Sequence, residues 1–309
     1  MNRVDGDQII EIGSSKIQHG NSSDRIYLME ASDDDMPQLL DKLHQLAGEL
    51  GYGKIFAKVE ARWRKPSIEA GFKVEAEVPG FFRGRVDGLF LGKYLDPERE
   101  KARDDREIKE ILALCRKESE KGVDGHGRPP KRATGSVNPG RFGQEPYELR
   151  LCGTGDCREM ATLFKRVFPS YPFPVHDPDF LRRSMEEEVC YAGVWSRDGL
   201  AALASAEYST RESHAEMTDF ATSPEHRGRR LAPGLLNLLE SAMEERGVKT
   251  AYTIARAISP GINLTFARAG YRYAGTLINN TQICGRIESM NIWYRPVTAR
   301  QHPILRRSE

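Results

Sequence analysis

The chain has 309 residues, with 46 Lys and Arg against 45 Asp and Glu, so its formal charge is +1 and it carries no net field toward nucleic acid or an anionic membrane. Its five cysteines (115, 152, 157, 190, 284) are odd in number and contain no Cys-x-x-Cys pair, and its seven histidines show no metal spacing, which argues against a disulfide framework or a metal site. No apolar run reaches the ~18 residues of a membrane span, and the first residues lack a signal peptide's apolar core, so a cytoplasmic protein with room for two domains is expected.

Taken in chain order, residues 25–29 read as a strand. Asp33, Asp34 and Asp35 are placed to cap a helix with Pro37 in its first turn, and Met36, Leu39, Leu40, Leu43, Leu46, Ala47 and Leu50 form its apolar face up to a stop at Gly51. Residues 54–59 make a second strand. After a helical segment, Ala70-Gly71-Phe72 leads into a hairpin ending at Tyr94. From Asp96-Pro97 a charged helix follows, with Ile108, Ile111, Leu112 and Cys115 as a narrow apolar stripe. Residues 122–143 collect Gly, Pro, Ser, Lys and Arg and read as a flexible linker, with no aromatics to stack on bases.

Past the linker, residues 147–152 form a strand, and Asp156 with Glu159 has the spacing of a capping box ahead of a helix face of Met160, Leu163, Phe164, Val167 and Phe168. Strands over 189–195 and 200–208 are joined by the Arg197-Asp198-Gly199 turn. The next strand runs to Thr222 and feeds a turn carrying Pro224, Arg227 and Gly228, which opens a helix at Leu231. Unpaired backbone N–H groups there aim at one spot with a positive dipole end behind them, and Arg227, Arg229 and Arg230 add formal charge. This is the layout of a phosphate cradle. A strand over 249–255, a turn with Pro260-Gly261, a short helix to Gly270-Tyr271 and a final hairpin through Gly275-Thr276-Leu277 to Tyr294 close the chain.

The strand length, the placement of Pro224 and the Leu231-Ala232 pair after the arginines together resemble the coenzyme A pyrophosphate loop of GNAT N-acyltransferases. The order β-α-α-β-β-β-α-β-α-β-β is the GNAT order, so a GNAT domain is assigned to residues 147–298, an α/β fold with a mixed, mostly antiparallel sheet flanked by helices. The resemblance implies acetyl-CoA as co-substrate, held by Phe220, Ala221, Thr222, Arg227, Gly228, Arg229, Arg230, Leu231, Ala232 and Asn263. It also implies attack on the thioester by an amine. A lysine-like amine has a pKa of ~10.4, so a base is needed near pH 7.

Glu216 lies six residues before Thr222, where many GNAT members place a catalytic glutamate, and is the first choice for that base. Asp219 is the alternative. It alternates to the opposite face of an unbulged strand, so a bulge decides which of the two reaches the amine. Two positions depart from the family pattern. Glu225 and Arg230 occupy the outer slots of the usual Arg/Gln-x-x-Gly-x-Gly/Ala, and Phe266 fills the place of the tyrosine that often protonates the thiolate, leaving that role vacant or passing it to Tyr271 or Tyr273.

The stretches 216–222, 270–280 and 290–294, together with 17–20, 24–29 and 53–59, look like the β-lysine N-acetyltransferases, which acetylate the ε-amine of β-lysine to make a zwitterionic osmolyte. A substrate with two amines and one carboxylate needs acidic and basic contacts, for which Glu207, Arg256, Asn279 and Asn280 are candidates. Another small amine, a protein lysine, or a non-catalytic acyl-CoA-binding regulator are the competing readings, and a homodimer is compatible with all of them.

Residues 1–95 are expected to be a truncated, degenerate copy of the cofactor-holding GNAT half, with 96–146 as helix and linker. Gly51 stands opposite Gly247, and Gly71 opposite Gly270, at offsets of 196 and 199 residues. The acidic turn Asp33–Asp35 would satisfy the orphan N–H groups of its helix and repel an anion, so this copy should not bind the cofactor but be structural or shape the substrate end of the site.

Overall fold

A computed structural model describes residues 7–121, 141–142 and 145–297; the linker assigned to 122–143 lies almost wholly outside the described residues. The strands are β1 (Gln8–Ile12), β2 (Ser15–Gly20), β3 (Arg25–Glu30), β4 (Lys54–Glu60), β5 (Lys73–Phe82) and β6 (Val86–Tyr94) in the first half. A short ribbon of β7 (Arg141–Phe142) and β8 (Glu145–Pro146) precedes β9 (Glu148–Leu151), β10 (Val189–Ser196), β11 (Gly199–Ser209), β12 (His214–Thr222), β13 (Thr250–Arg256), β14 (Arg272–Ile283) and β15 (Arg286–Pro296). The helices are α1 (Gln38–Leu50), α2 (Arg64–Glu69), α3 (Asp105–Lys121), α4 (Cys157–Val167), α5 (Pro178–Glu186), α6 (Leu231–Glu245) and α7 (Pro260–Arg268). None of the helices among the described residues is long and apolar enough to cross a membrane.

Thirteen strands form one mixed sheet in the order β1-β2-β3-β4-β6-β5-β14-β15-β13-β12-β11-β10-β9. Only β3 with β4 and β12 with β13 run parallel. The sheet therefore does not stop between the two halves. It passes from β5 to β14 through the pairing of Ala76 with Gly275. A Cβ on Gly275 would sit 2.0 Å from the Glu75 carbonyl oxygen, so only glycine lets the two backbones come this close.

Each helix is where its apolar stripe requires it. Leu39, Leu40, Leu43 and Ala47 of α1 are buried on β2, β3, β4 and β6, and Leu235, Leu236, Leu239 and Met243 of α6 on β10 to β13. At α1 the helix stops at Gly51 in the left-handed conformation (φ 71°). Two capping expectations fail. The α1 N-terminus has no side-chain cap; Asp35 instead accepts from Ser14 N–H (2.9 Å) and Ser15 Oγ (2.6 Å), Asp33 pairs with Arg62, and Pro37 is the N-cap residue rather than part of the first turn. The carboxylate of Asp156 accepts from Gly153 N–H (2.8 Å) and from Arg150, while Glu159 receives the Trp195 indole N–H. At α1 a distant partner takes the carboxylate, whereas Asp156 caps the 3-10 turn just before α4 instead of α4 itself. The charged segment after Tyr94 likewise begins with a 3-10 turn at Pro97–Glu100, and α3 starts only at Asp105.

The order β3-α1-β4-α2-β5-β6 is the order β12-α6-β13-α7-β14-β15, with the same pairings. The turn bonds correspond as well. Gly51 N–H donates to Gly48 O and Tyr52 N–H to Ala47 O; 196 residues on, Gly247 donates to Glu244 O and Val248 to Met243 O. Gly71 donates to Ile68 O and Phe72 to Ser67 O; 199 residues on, Gly270 donates to Ala267 O and Tyr271 to Phe266 O.

A bulge in β14 locks the halves together. Between the pairs Leu277–Met290 and Thr281–Glu288 the register slips, and Asn279 adopts φ 43°. The backbone it turns outward is taken up by the first half: Lys54 Nζ donates to Ile278 O (2.8 Å), Arg99 Nε to Asn279 O (3.1 Å) and Arg25 Nη1 to Asn280 O (2.7 Å). The sheet curls around a shared core of Tyr27, Phe56, Phe81, Phe90, Tyr252 and Met290 that draws on both halves. Curling brings the β3–β4 surface over against the β12–β13 surface, with Lys58 Nζ 3.4 Å from the Tyr252 hydroxyl.

Candidate active site

Strands β12 and β13 pair only from His214–Thr250 to Glu216–Tyr252, although β12 runs on to Thr222 and β13 to Arg256. The two parallel strands therefore part, leaving a wedge. A bulge stands at the same level: the β11–β12 register slips between Leu203–Ala221 and Ser205–Thr218, and Asp219 has φ 54°. An unbulged strand would send Asp219 to the α6 side with Met217. The bulge turns it to the side of Glu216 and Thr218.

Beyond the wedge, Phe220, Ala221 and Thr222 lead to the cradle. Ala221 is buried beneath α4 and the Phe220 ring stands edge-on to Phe266, so what these residues offer a ligand is backbone. A 3-10 turn at Pro224–His226 precedes Gly228 (φ 77°) and Arg230 (φ 59°), the N-cap residue of α6. The first turn of α6 carries no acidic residue and no side-chain cap, and Gly228 has nothing within 4 Å of where a Cβ would stand. The donors of the helix end and an open approach over Gly228 are what a pyrophosphate requires. Glu225 in the departed first slot is drawn away by Arg166 and Ser223, so it does not compete for the site. Arg227 Nε reaches Thr222 O (3.4 Å), and Arg229 donates to the Tyr147 hydroxyl (2.8 Å). Leu231 packs into the core and leaves Ala232 in the first turn. Asn263 is occupied within the protein: its amide donates to Arg256 O and Ser259 O and its oxygen accepts from Asn291 and Trp293. It pins the start of α7.

On the other side of the wedge lies a cavity of ≈ 1060 Å³ between the two halves. Its walls carry Glu207, Glu216 and Asp219 from the second half and Arg25, Tyr27 and Lys58 from the first. Glu207 and Glu216 are direct cross-strand partners, an arrangement of like charges that is unfavourable unless a cation is near. Burial raises the Glu207 pKa above the usual carboxylate range, Asp219 and Glu216 raise it further, and Lys58 pulls it down. Burial also raises Glu216, against the opposing pull of Lys58, the Tyr252 hydroxyl and the Ile254 amide. Asp219 is raised by burial too, although hydroxyls of Ser205 (2.6 Å) and Tyr171 hold its two oxygens.

Burial works against the charge on Lys58, but Tyr27, Glu216 and Glu207 outweigh it and the ammonium is retained. His214 behaves oppositely. Burial and Lys58 depress it to about 3, so this ring, stacked 4.3 Å from Phe81, stays neutral and is no proton acceptor at working pH. Three carboxylates stand here against one lysine, which makes this part of the cavity acidic.

Of the residues singled out by sequence, the structure brings Glu207, Glu216, Asp219 and Asn280 together on the cavity wall. Tyr271 lies elsewhere, in the core under α6 and α7 with its ring edge-on to Phe266 at 4.9 Å. Arg256 is held bidentate by Glu288 (2.8 and 2.7 Å), and Asn279 donates to the carbonyls of Arg99 and Lys101 at the seam. Neither lines the cavity. Tyr273 is turned outward and hydrogen-bonds Thr276. Arg25, Tyr27, Lys58, Tyr171 and Tyr252 were missed. A charged Lys58 inside the apolar strand Ile55-Phe56-Ala57-Lys58-Val59 was the one visible signal, and it reads equally well as an edge residue.

The model of the Acetyltransferase (GNAT) family matches residues 157–263. A β-lysine N(6)-acetyltransferase of Methanococcus maripaludis is 31% identical over 289 residues, covering 94% of this chain and 98% of the relative. Another of the same name from Methanosarcina mazei is 31% identical over 84% of this chain and 96% of its own length. The N-acetyltransferase YodP of Bacillus subtilis is 38% identical over 48% of this chain and 54% of its own. With its parted β12 and β13, its phosphate cradle at α6 and relatives that match it across both halves, the chain belongs to the acetyltransferase (GNAT) family.

Proposed function

We propose that this acetyl-CoA-dependent amine N-acetyltransferase acts on the ε-amine of β-lysine, yielding Nε-acetyl-β-lysine as a cytoplasmic osmolyte. The observation that carries this is the cavity. Its walls come from both halves, and the two β-lysine N(6)-acetyltransferases match this chain over both halves rather than over the cofactor domain alone. A small diamine with a carboxylate suits a chamber whose walls carry three carboxylates and also Arg25.

The geometry supports the following roles. Acetyl-CoA supplies the activated acetyl group, with its pyrophosphate on the α6 cradle and its thioester end entering the wedge. Backbone N–H groups of β12 past the bulge are released from β13 and free to polarise the thioester carbonyl. The ε-ammonium settles among Glu207, Glu216 and Asp219. Glu216, whose raised pKa brings it closer to the amine's, takes the proton, directly or through water; the neutral amine then attacks in a ternary complex. Asp219, fixed by Ser205 and Tyr171, positions the ammonium. The coenzyme A thiol has a pKa near ~8.5 and leaves as thiolate, consistent with Phe266 in the usual tyrosine place. The test is a radiolabelled acetyl-CoA assay against β-lysine, α-lysine, simple diamines and a lysine peptide. Preferred turnover of any other member of the panel would replace β-lysine as the substrate.

In this reading residues 1–95 are the degenerate GNAT copy, retained to wall the acceptor cavity. The turn matching the cradle carries Asp33, Asp34 and Asp35, and the N-cap Pro37 has no N–H to offer. Calorimetric titration is expected to give one acetyl-CoA per chain; two would refute the degeneracy of the first half. At the working cradle, Gly228→Val forces a β-branched residue into φ 77° and puts side-chain atoms where the pyrophosphate approaches. Acetyl-CoA affinity should fall at least tenfold with the far-ultraviolet circular dichroism unchanged. Equal affinity would show that the cofactor does not lie over Gly228.

A further inference from the structure

Arg25 is a buried cation without an ion-pair partner among the described residues. It is 5% exposed and lies against the stacked rings of Tyr27 (5.3 Å) and Phe56 (5.6 Å). Nη1 donates to Asn280 O (2.7 Å) and Thr281 Oγ1 (2.9 Å), and the Nε–H has no acceptor. Next to it, Asn280 is 1% exposed and its Oδ1 receives no hydrogen bond, because its amide is turned to Thr281 Oγ1 (3.3 Å). One orphan donor on a charged fork and one orphan acceptor thus stand on touching residues, and both residues line the cavity. Buried polar groups are ordinarily satisfied, and an uncompensated buried guanidinium is costlier still, so the pair points to a ligand that brings an anion and a donor together.

We infer that Arg25 and Asn280 form the head-group site of the acceptor: Arg25 takes the carboxylate and Asn280 Oδ1 takes the neighbouring β-ammonium. This rests on the β-lysine reading above and extends it to the residues that set specificity. The planar fork of arginine matches a carboxylate side-on, and the two Nη1 hydrogen bonds with the adjoining Tyr27 and Phe56 rings hold it in place before substrate arrives. Arg25 and Glu216 line the same cavity, and Arg25 senses the Glu216 charge, as one short acceptor touching both requires. Asp7 is the other carboxylate that Arg25 senses; it forms no salt bridge with Arg25 and does not line the cavity. Arg25 thus selects amino-acid acceptors over plain polyamines, and it does so from the half of the chain that lacks the cofactor cradle.

The experiment compares acceptors that differ by one group. β-Lysine is set against 1,4-diaminopentane, which is β-lysine without its carboxylate, and against 6-aminohexanoate, which lacks only the β-amine. Charge-assisted hydrogen bonds of this kind are each worth about tenfold to a hundredfold in binding. Arg25→Gln should raise KM at least tenfold for β-lysine and 6-aminohexanoate, lower kcat much less, and leave KM for 1,4-diaminopentane within about twofold. Arg25→Lys, which keeps the charge and loses the fork, should fall between. Asn280→Ala should raise KM for β-lysine and 1,4-diaminopentane but not for 6-aminohexanoate. Acetyl-CoA affinity is measured on every variant, and only variants that keep it are scored.

A uniform change across all three acceptors, or none, overturns the head-group site while leaving the wild-type acceptor preference to judge the β-lysine reading separately. If the wild type prefers another carboxylate-bearing amine, that amine and its decarboxylated counterpart replace the first pair, and the same ratio decides.

Discussion

Replacing Glu216 by glutamine should lower kcat by roughly 10²–10⁴ at pH 7 while acetyl-CoA affinity hardly moves. Glutamine keeps the size of the side chain and its contacts with Tyr252 and the Ile254 amide, and removes only the basicity. The sign of the pH dependence follows from the same group. Burial raises the pKa of Glu216, so the acid limb of the wild-type kcat/KM profile should lie above the ordinary carboxylate range, with activity lost as falling pH protonates the base. In the glutamine variant that limb should vanish and its deficit should shrink toward pH ~10, where free amine forms unaided.

Asp219→Asn is the control. Both Asp219 oxygens are already held by hydroxyls, so it should raise KM more than it lowers kcat. A Glu216→Gln enzyme with near wild-type kcat at pH 7 would transfer the proton acceptor to Glu207, Asp219 or a water chain.

The second large effect concerns the seam between the halves. Lys54 is fully buried, with Nζ 2.8 Å from Glu75 Oε2 and 2.8 Å from Ile278 O, and Glu75 accepts in turn from Ile278 N–H (2.9 Å). One ion pair therefore ties β4 and β5 to the bulged backbone of β14. Lys54→Met fills nearly the same volume but leaves the Glu75 carboxylate buried and uncompensated. Removing one partner of a buried pair typically costs about 3–5 kcal/mol, so a marked fall in the denaturant midpoint is expected. Lys54→Met with Glu75→Leu should recover much of that loss, because no charge is then stranded. A single variant as stable as the wild type would mean that the halves are held by apolar packing alone. Since the cavity proposed for the acceptor lies between the halves, the single variant should also raise KM for the acceptor more than for acetyl-CoA.

The amino-acid sequence by itself determined the local and periodic features of this protein. The glycine turn at Arg227-Gly228, the apolar stripe of α6, the place of Glu216 six residues before Thr222, and the paired stops at Gly51 and Gly247 are all set by neighbours within a few positions. Such signals survive any tertiary context because backbone conformation at a glycine and helical spacing are short-range properties. The tertiary structure alone decided the features that depend on distant partners. Asp35 had the composition of a helix cap, but Ser14 and Ser15 took its carboxylate. Asn279 was a credible substrate contact until the bulge in β14 turned it onto Arg99. The bulge that puts Asp219 beside Glu216 depends on a register slip against β11, and alternation along one strand cannot reveal it.

Above all, Arg25, Tyr27 and Lys58 enter the cavity because the whole sheet curls until β3 and β4 face β12 and β13, up to seven places away in the strand order. The accumulated twist of many strand pairs and the shared aromatic core set that curl, and no window of the chain contains it.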